Sequence, residues 1–317
     1  MRISVLVPVY GVERFIGECA VSLFEQSYQN LEYVFVDDCS PDGSISVLRE
    51  VLRRYPQREG QVHIIRHDRN RGLGAARATA LSAATGEAVM VVDSDDVVPR
   101  DAVMKLWRQM EATGADMVDG AFCRLLPNGL EVPVFPFRGK KDRMLRLMLL
   151  HNTVPHHLWG WLVRRSVYTD NGINSVEGVN MAEDYAVTPR LLFSSTKRAS
   201  IDDVVYHYRD NADSTFSDHL TTRHILSFLQ ANRTVYAFLQ ERQAEGQYRL
   251  PVMIGMLQVF HAAMKVGMSV QEVEQACGYR MCAWLRWLCS PKRLSLLYNV
   301  YLVLKFLYKQ WLALGCR

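Results

Sequence analysis

Residues 1–92 alternate short apolar runs with longer stretches of helical spacing, and no other feature of this sequence narrows its fold as far. The runs 3–10, 31–36, 62–66 and 88–92 have strand length and are rich in β-branched residues. Between them, 12–26, 44–55 and 72–84 have helical spacing, with Phe15, Ile16, Cys19, Ala20, Leu23 and Phe24 on one face of the first. Such alternation predicts βαβ units and an α/β domain with a mostly parallel sheet flanked by helices. Ligands bind such sheets at the carboxyl ends of the strands. Three of the four ends here carry polar or acidic clusters, among them Asp37-Asp38-Cys39-Ser40-Pro41-Asp42-Gly43 and Asp93-Ser94-Asp95-Asp96.

The second cluster carries the most chemistry. Three carboxylates at the end of a buried strand repel one another and are costly without a cation. A hard divalent ion with oxygen ligands, carrying a substrate phosphate, resolves that repulsion. An acidic turn capping the next helix, with Asp96 ahead of Pro99, is the plainer alternative. Gly72-Leu73-Gly74 lacks the third glycine of a dinucleotide fingerprint and follows the third strand rather than the first, and no Gly-Lys-Ser/Thr phosphate loop is present. Those glycines suit close backbone approach at a helix start, where amides meet an anion.

At 317 residues the chain exceeds one typical domain, which favours a catalytic domain plus a C-terminal addition. The net charge of +4 is unevenly placed: 275–317 holds seven Lys or Arg and no Asp or Glu. That asymmetry points to an anionic surface. Seven cysteines, an odd number with no Cys-x-x-Cys pair, read as reduced thiols of a cytoplasmic protein rather than a zinc site. The apolar start, interrupted by Pro8, is too short for a secretory core and leads straight into the first strand.

Five segments together resemble a family 2 glycosyltransferase with the nucleotide-sugar-binding GT-A fold. They are Ser4-Val5-Leu6-Val7-Pro8-Val9-Tyr10, Val36-Asp37-Asp38-Cys39-Ser40-Pro41-Asp42, Asn70-Arg71-Gly72-Leu73-Gly74-Ala75-Ala76-Arg77, Asp93-Ser94-Asp95-Asp96 and Glu183-Asp184-Tyr185. The resemblance covers about residues 1–215 and implies a GT-A (Rossmann-like) domain over 1–217, followed by a helical region over 218–317. It places Pro8 and Tyr10 at a nucleobase pocket, and has Asp38, beside Asp37, accept from the uracil N–H. Asn70 becomes a second nucleotide contact, and Arg77 a holder of a phosphate or an acidic loop. Asp93, next to Ser94, falls at the ribose and phosphate, and Asp95 ligates Mn²⁺ or Mg²⁺. Asp96 stands behind them.

The resemblance further implies an inverting transfer from a nucleotide-sugar, most simply a UDP-sugar, to a hydroxyl of a saccharide or lipid-linked acceptor of surface polysaccharide synthesis. Asp184 is the expected base, with Glu183 orienting it or meeting the acceptor. An acid pair favoured by the dipole at a helix start is the structural alternative. Trp159, Trp161 and His157 are acceptor-side candidates, although many relatives carry lysine where this chain has Trp161. His207, Arg209 and Ser214 fall in a segment resembling the one that closes the active site. A nucleotidyltransferase, or a non-catalytic membrane-bound nucleotide-sugar binder, remains an alternative; the former typically carries a glycine-rich basic loop that Pro8-Val9-Tyr10-Gly11-Val12 does not match.

Helical spacing continues over 219–241 and 250–268. The segment 283–314 mixes Trp284, Trp287, Tyr301, Phe306, Leu307 and Trp311 with scattered basic residues, and Lys305 and Lys309 break its uncharged run before a membrane span is reached. It reads as an interfacial helix for an anionic leaflet, which would place the protein on the inner face of the cell membrane; packing on its own domain or on an oligomeric partner is the other reading. The interleaving of basic and aliphatic residues argues against nucleic acid.

Overall fold

The computed structural model describes residues 1–151, 153–210 and 221–314, without the side chains of Trp284, Pro291 and Leu314; Ser214 therefore lies outside the described residues. The chain forms two compact units. The first comprises Met1–Pro136, His157–Gly178 and Ser194–Phe216; the second comprises Phe137–His156, Val179–Phe193 and Ser217–Arg317. The expected boundary at 217/218 falls among residues that are not described, and the second unit takes in two inner segments that the sequence assigned to the N-terminal domain.

The first unit is built on one sheet, formed by β1 (Ile3–Val9), β2 (Leu31–Asp37), β3 (Val62–Arg66), β4 (Ala88–Val91), β5 (Met117–Leu125), β6 (Glu131–Val134), β7 (Trp161–Arg164) and β8 (Arg198–Arg209). Their order is β3-β2-β1-β4-β7-β5-β6, with β8 also pairing β5. Neighbours among β1–β4 run parallel and β8 is parallel to β5, whereas β7 is antiparallel to β4 and β5, as β6 is to β5. The mostly parallel α/β sheet expected from sequence is therefore present, with an antiparallel half added.

Helices α1 (Ile16–Phe24), α2 (Ser44–Arg53), α3 (Leu73–Ala83) and α4 (Ala102–Thr113) accompany it. Ile3, Val5, Val7 and Val9 join one core with Ile16, Leu23, Leu48 and Leu106. Leu6, Val34 and Val91, of opposite parity, are buried as well, and α3 packs on β1 and β2. Burial on both faces is why these strands read as unbroken apolar runs.

Pro8 shows how the sheet opens. A central strand normally excludes proline, which lacks the ladder N–H. The last bond from β4 toward β1 is that of the Val92 amide to the Leu6 carbonyl, 3.0 Å. Pro8 lies beyond it and pairs only with Val36 of β2. The missing donor thus falls where β1 and β4 part, at the switch point where the chain order reverses. At the opposite strand ends, the buried Glu32 carboxylate accepts from Ser4 Oγ and from the Thr85 amide and hydroxyl, both at 2.8 Å. That network ties the starts of β1 and β2 to the turn before β4.

The second unit is helical: α5 (Lys141–Leu149), α7 (Glu183–Ser194), α8 (Thr222–Glu241), α9 (Glu245–Lys265), α10 (Val270–Cys277), α11 (Ala283–Leu288) and α12 (Leu294–Leu314), while the short α6 (Arg165–Thr169) belongs to the first. Thr221 caps α8 and Ser269 caps α10, each in a reciprocal capping box. Pro251 inside α9 frees the carbonyl of Gln247, four residues back, and Arg146 Nη1 donates to it at 3.1 Å. The single C-terminal segment 283–314 is two helices, separated by the turn that begins at Pro291.

Candidate active site

The acidic motif follows β4 directly. Arg77, buried in α3, donates from Nη2 to Asp93 Oδ1 at 2.8 Å. The Tyr206 hydroxyl accepts from the Asp93 amide at 3.0 Å and donates to Asp96 Oδ2 at 2.8 Å, while the Arg209 amide donates to Asp96 Oδ1 at 2.7 Å. Asp96 is thus a buried carboxyl held by two protein donors, the supporting position expected of it. Burial, then the charges of Asp95 and Asp93, push its pKa up to about 8. The same three carboxylates, after burial, hold the Cys19 thiol well above its ordinary value. Asp93 and Asp95 are half-buried, with the buried Ser94 between them. Oxygen ligands of this kind are what Mg²⁺ or Mn²⁺ takes, and the charges of Asp93 and Asp95 act on Asp96. Among the described residues, however, these carboxylates do not form a group of three with ligand atoms within 4.8 Å of one another.

The end of β2 is organised from within. Asp37 Oδ1 accepts the Ser40 amide at 2.8 Å, and Arg66 Nε lies 3.4 Å from Oδ2. Asp38, expected to read a base edge, is buried and already accepts His67 Nδ1–H at 2.6 Å and the amides of Arg71 and Gly72 at 2.9 and 2.7 Å. It shapes the loop that starts α3. Gly72 has φ +88°, a conformation that glycine adopts without strain, and this aims its amide at Asp38. The Thr79 hydroxyl lies 2.9 Å from the other nitrogen of His67. Pro8 is buried, whereas Tyr10 and Asn70 are exposed.

The acceptor-side candidates are mostly core. Trp159 is buried and stacks on His157 and Tyr206 at centroid distances of 3.8 and 4.4 Å, and also on Tyr208. Its ring faces are thereby occupied by protein aromatics. Trp161 is buried too, under the Arg198 guanidinium, which pairs with Asp119 at 2.7 Å. His157 donates from Nδ1 to the Trp159 carbonyl at 2.9 Å. The backbone of His207 bonds both ways with Val97, just past the acidic motif, and its ring lies with Cys123 and Glu131 in a group whose ligand atoms are within 4.8 Å of one another. Arg209, expected near a diphosphate, pairs with Glu18 at 2.6 Å.

Glu183 and Asp184 belong to the second unit, where they form the first turn of α7. A helix N-terminus favours the ionised carboxylate. The ring of the half-buried His156 has its pKa lowered by desolvation, while the charge of Asp184 acts to raise it. Tyr185 packs edge-on against that ring at 5.7 Å. Sequence reasoning did not single out Tyr206 or His67, the two side chains that wire the strand ends together. The alternation Tyr206-His207-Tyr208 on a strand was the one available signal, because it puts both tyrosines on the face that stacks on Trp159.

An α/β sheet with an acidic motif after its fourth strand, beside an open switch point, is the class of open α/β fold that takes ligands at its strand ends. The family model described as glycosyl transferase family 2 matches residues 4–170, more than half of the 317. The chain belongs to that family. It is 28% identical over 220 residues to the uncharacterized glycosyltransferase EpsJ of Bacillus subtilis (strain 168), covering 67% of this chain and 62% of that protein. The chain therefore spans less than two-thirds of that relative's length. Among solved structures it resembles residues 1–349 of S. aureus TarS in complex with UDP, with a TM-score of 0.67 at 20% identity over 98% of this chain and 92% of that one. It also resembles the mannosyltransferase PcManGT of Pyrobaculum calidifontis in complex with GDP-Man and Mn²⁺, with a TM-score of 0.52 at 17% identity, covering 98% and 87%. Both likenesses place the fold.

Proposed function

We propose that this protein transfers a sugar from a UDP-sugar to a hydroxyl of a saccharide or lipid-linked acceptor, with inversion at the anomeric carbon. The observation that carries the proposal is the acidic motif at the end of β4, with Asp96 held inside by Tyr206 and the Arg209 amide while Asp93 and Asp95 stay half-buried. The UDP in the TarS complex and the GDP-Man and Mn²⁺ in the mannosyltransferase complex support a nucleotide-sugar donor and a divalent ion. Asp95 and Asp93 are the residues that would hold Mn²⁺ or Mg²⁺, which when bound neutralises the charge of a departing diphosphate.

Arg77 keeps Asp93 turned to its place, and Asp38 keeps the amides of 71 and 72 in the loop that starts α3. Pro8, Tyr10, Asp37, Asn70 and Ser94 complete the nucleotide side of the reading. Asp184, assisted by Glu183, takes the proton of the acceptor hydroxyl as the new C1–O bond forms and the bond to the diphosphate breaks, its electron pair leaving with the diphosphate. Attachment to the inner face of the cell membrane, where lipid-linked sugars are extended, belongs to the same reading.

Calorimetry with UDP-, GDP- and CMP-sugars, with and without Mn²⁺, tests the donor. One UDP-sugar should bind in a metal-dependent way, and Asp95→Ala should abolish that binding. Asp184→Asn should keep donor affinity within about twofold while turnover falls by about 10²-fold or more. Unchanged turnover in Asp184→Asn would remove the base assignment.

A further inference from the structure

Helix α12 is held on its unit by one face alone. Leu297, Tyr301, Tyr308 and Leu312 are buried. The Tyr301 hydroxyl lies 3.1 Å from the Leu150 carbonyl and 2.6 Å from Gln258 Oε1. Lys305, which breaks the uncharged run, turns inward: its Nζ donates to the His151 carbonyl and to the Tyr301 hydroxyl, both at 2.8 Å. The opposite face is open and largely apolar, with the exposed Ser295, Asn299 and Gln310 set among its apolar residues. Leu296, Leu302, Val303, Phe306, Leu307 and Trp311 are between 44% and 61% exposed. Their spacing of three, four and seven residues keeps them on one side of a helix of 21 residues, about 32 Å long. An exposed apolar stripe running about 23 Å from Leu296 to Trp311 is more than a soluble surface normally leaves open.

The charges of the segment itself have one sign. No Asp or Glu occurs in 275–317, and Glu274, the last acid before it, is paired with Arg286. Lys292 and Lys309 are exposed, and Arg293 lies over the exposed Trp287 ring at 3.9 Å. A second copy docked on this face would bring basic residues against basic residues. An anionic bilayer supplies the opposite charge, an apolar layer for the leucines and phenylalanine, and an interface suited to tryptophan. No helix among the described residues is long and apolar enough to cross a membrane.

We infer that α12 lies flat on an anionic lipid surface through its Leu296–Val303–Phe306–Leu307–Trp311 face. The inference specifies the attachment included in the function proposed above, but its test reads lipid binding alone and stands whether or not the chain proves to be a glycosyltransferase. Full-length protein is sedimented with phosphatidylcholine vesicles, and with vesicles in which phosphatidylglycerol replaces a third of the lipid, at low and high salt. Partition should be at least tenfold stronger on the anionic vesicles and should fall as salt rises. Phe306→Ser combined with Leu307→Ser should reduce it at least tenfold, and Lys292→Glu with Lys309→Glu should remove the preference for anionic lipid. All four residues are exposed or solvent-facing, and unchanged circular dichroism would confirm that the variants fold. Equal partition on both lipids, or partition that the Phe306/Leu307 variant keeps, overturns the inference. A concentration-dependent dimer in sedimentation velocity that this variant abolishes, without vesicle binding by the native chain, would give the face to a second copy instead.

Discussion

At the scale of single residues, the acidic motif depends on a tyrosine. The Tyr206 hydroxyl accepts the Asp93 amide and donates to the buried Asp96, so one oxygen fixes the motif at two points. Tyr206→Phe should lower stability by about 1–3 kcal/mol, because it leaves a buried amide without its acceptor and a buried carboxyl short of a donor. Urea unfolding of the variant checks this, and a change below about 0.5 kcal/mol would mean that water replaces the hydroxyl. Residue identity was legible in the sequence where a role needs a charge: the Asp93, Asp95 and Asp96 cluster was evident before any coordinates. It was illegible where partners decide the role, as with Asp38, whose bonds to His67 and to the Arg71 and Gly72 amides no sequence pattern shows. A carboxylate offered to a uracil and one spent on the Arg71 and Gly72 amides look alike in a string of letters.

At the scale of elements, the four parallel strands were legible within a residue or so, since burial on both faces leaves an unbroken apolar run. Strands β5 to β8 were not. Strand β8 holds Asp202 and Asp203 and is only half-buried along most of its length, and β5 carries Gly120 and Arg124, so neither shows a clean run or alternation. The C-terminal helices were legible from spacing, but their contact with α5 was not. Gly255 of α9 marks that contact: a Cβ there would fall 2.1 Å from the Leu149 carbonyl oxygen at the end of α5. In an open helix, Gly→Ala stabilises by up to about 1 kcal/mol. Here it should destabilise by about 2 kcal/mol or more, because a backbone carbonyl cannot move aside as a side chain can. Thermal denaturation of Gly255→Ala decides between the two signs.

For the molecule as a whole, acid should act first on the helical unit. His151 is buried, with its pKa pushed down to about 3 chiefly by burial, and it donates from Nε2 to Asn232 at 3.0 Å. The His156 pKa is lowered by burial as well. The His151 ring is neutral when folded, whereas the unfolded chain takes up its proton below about pH 6.5, so the unfolded state binds more protons as pH falls. The stability contributed above that pH is lost on acidification, approaching about 1.4 kcal/mol per pH unit for His151, with His156 acting in the same direction, before the lowered carboxylates such as Glu32 begin to protonate. Chemical denaturation between pH 7 and 5 should show this slope, and His151→Asn should flatten it by one histidine's share. A level profile over that range would contradict the burial of His151.

The threading of the chain through its two units has a consequence for how the molecule can be cut. The backbone passes from one unit to the other at 136/137, 156/157, 178/179, 193/194 and 216/217. The two bodies are therefore stitched rather than strung. A protease that nicks any one of these crossings severs a single thread and leaves four covalent links, so a nicked protein should run as one species under native conditions and fall into two fragments only in detergent. A two-domain protein with one linker would release a free half at its first cut.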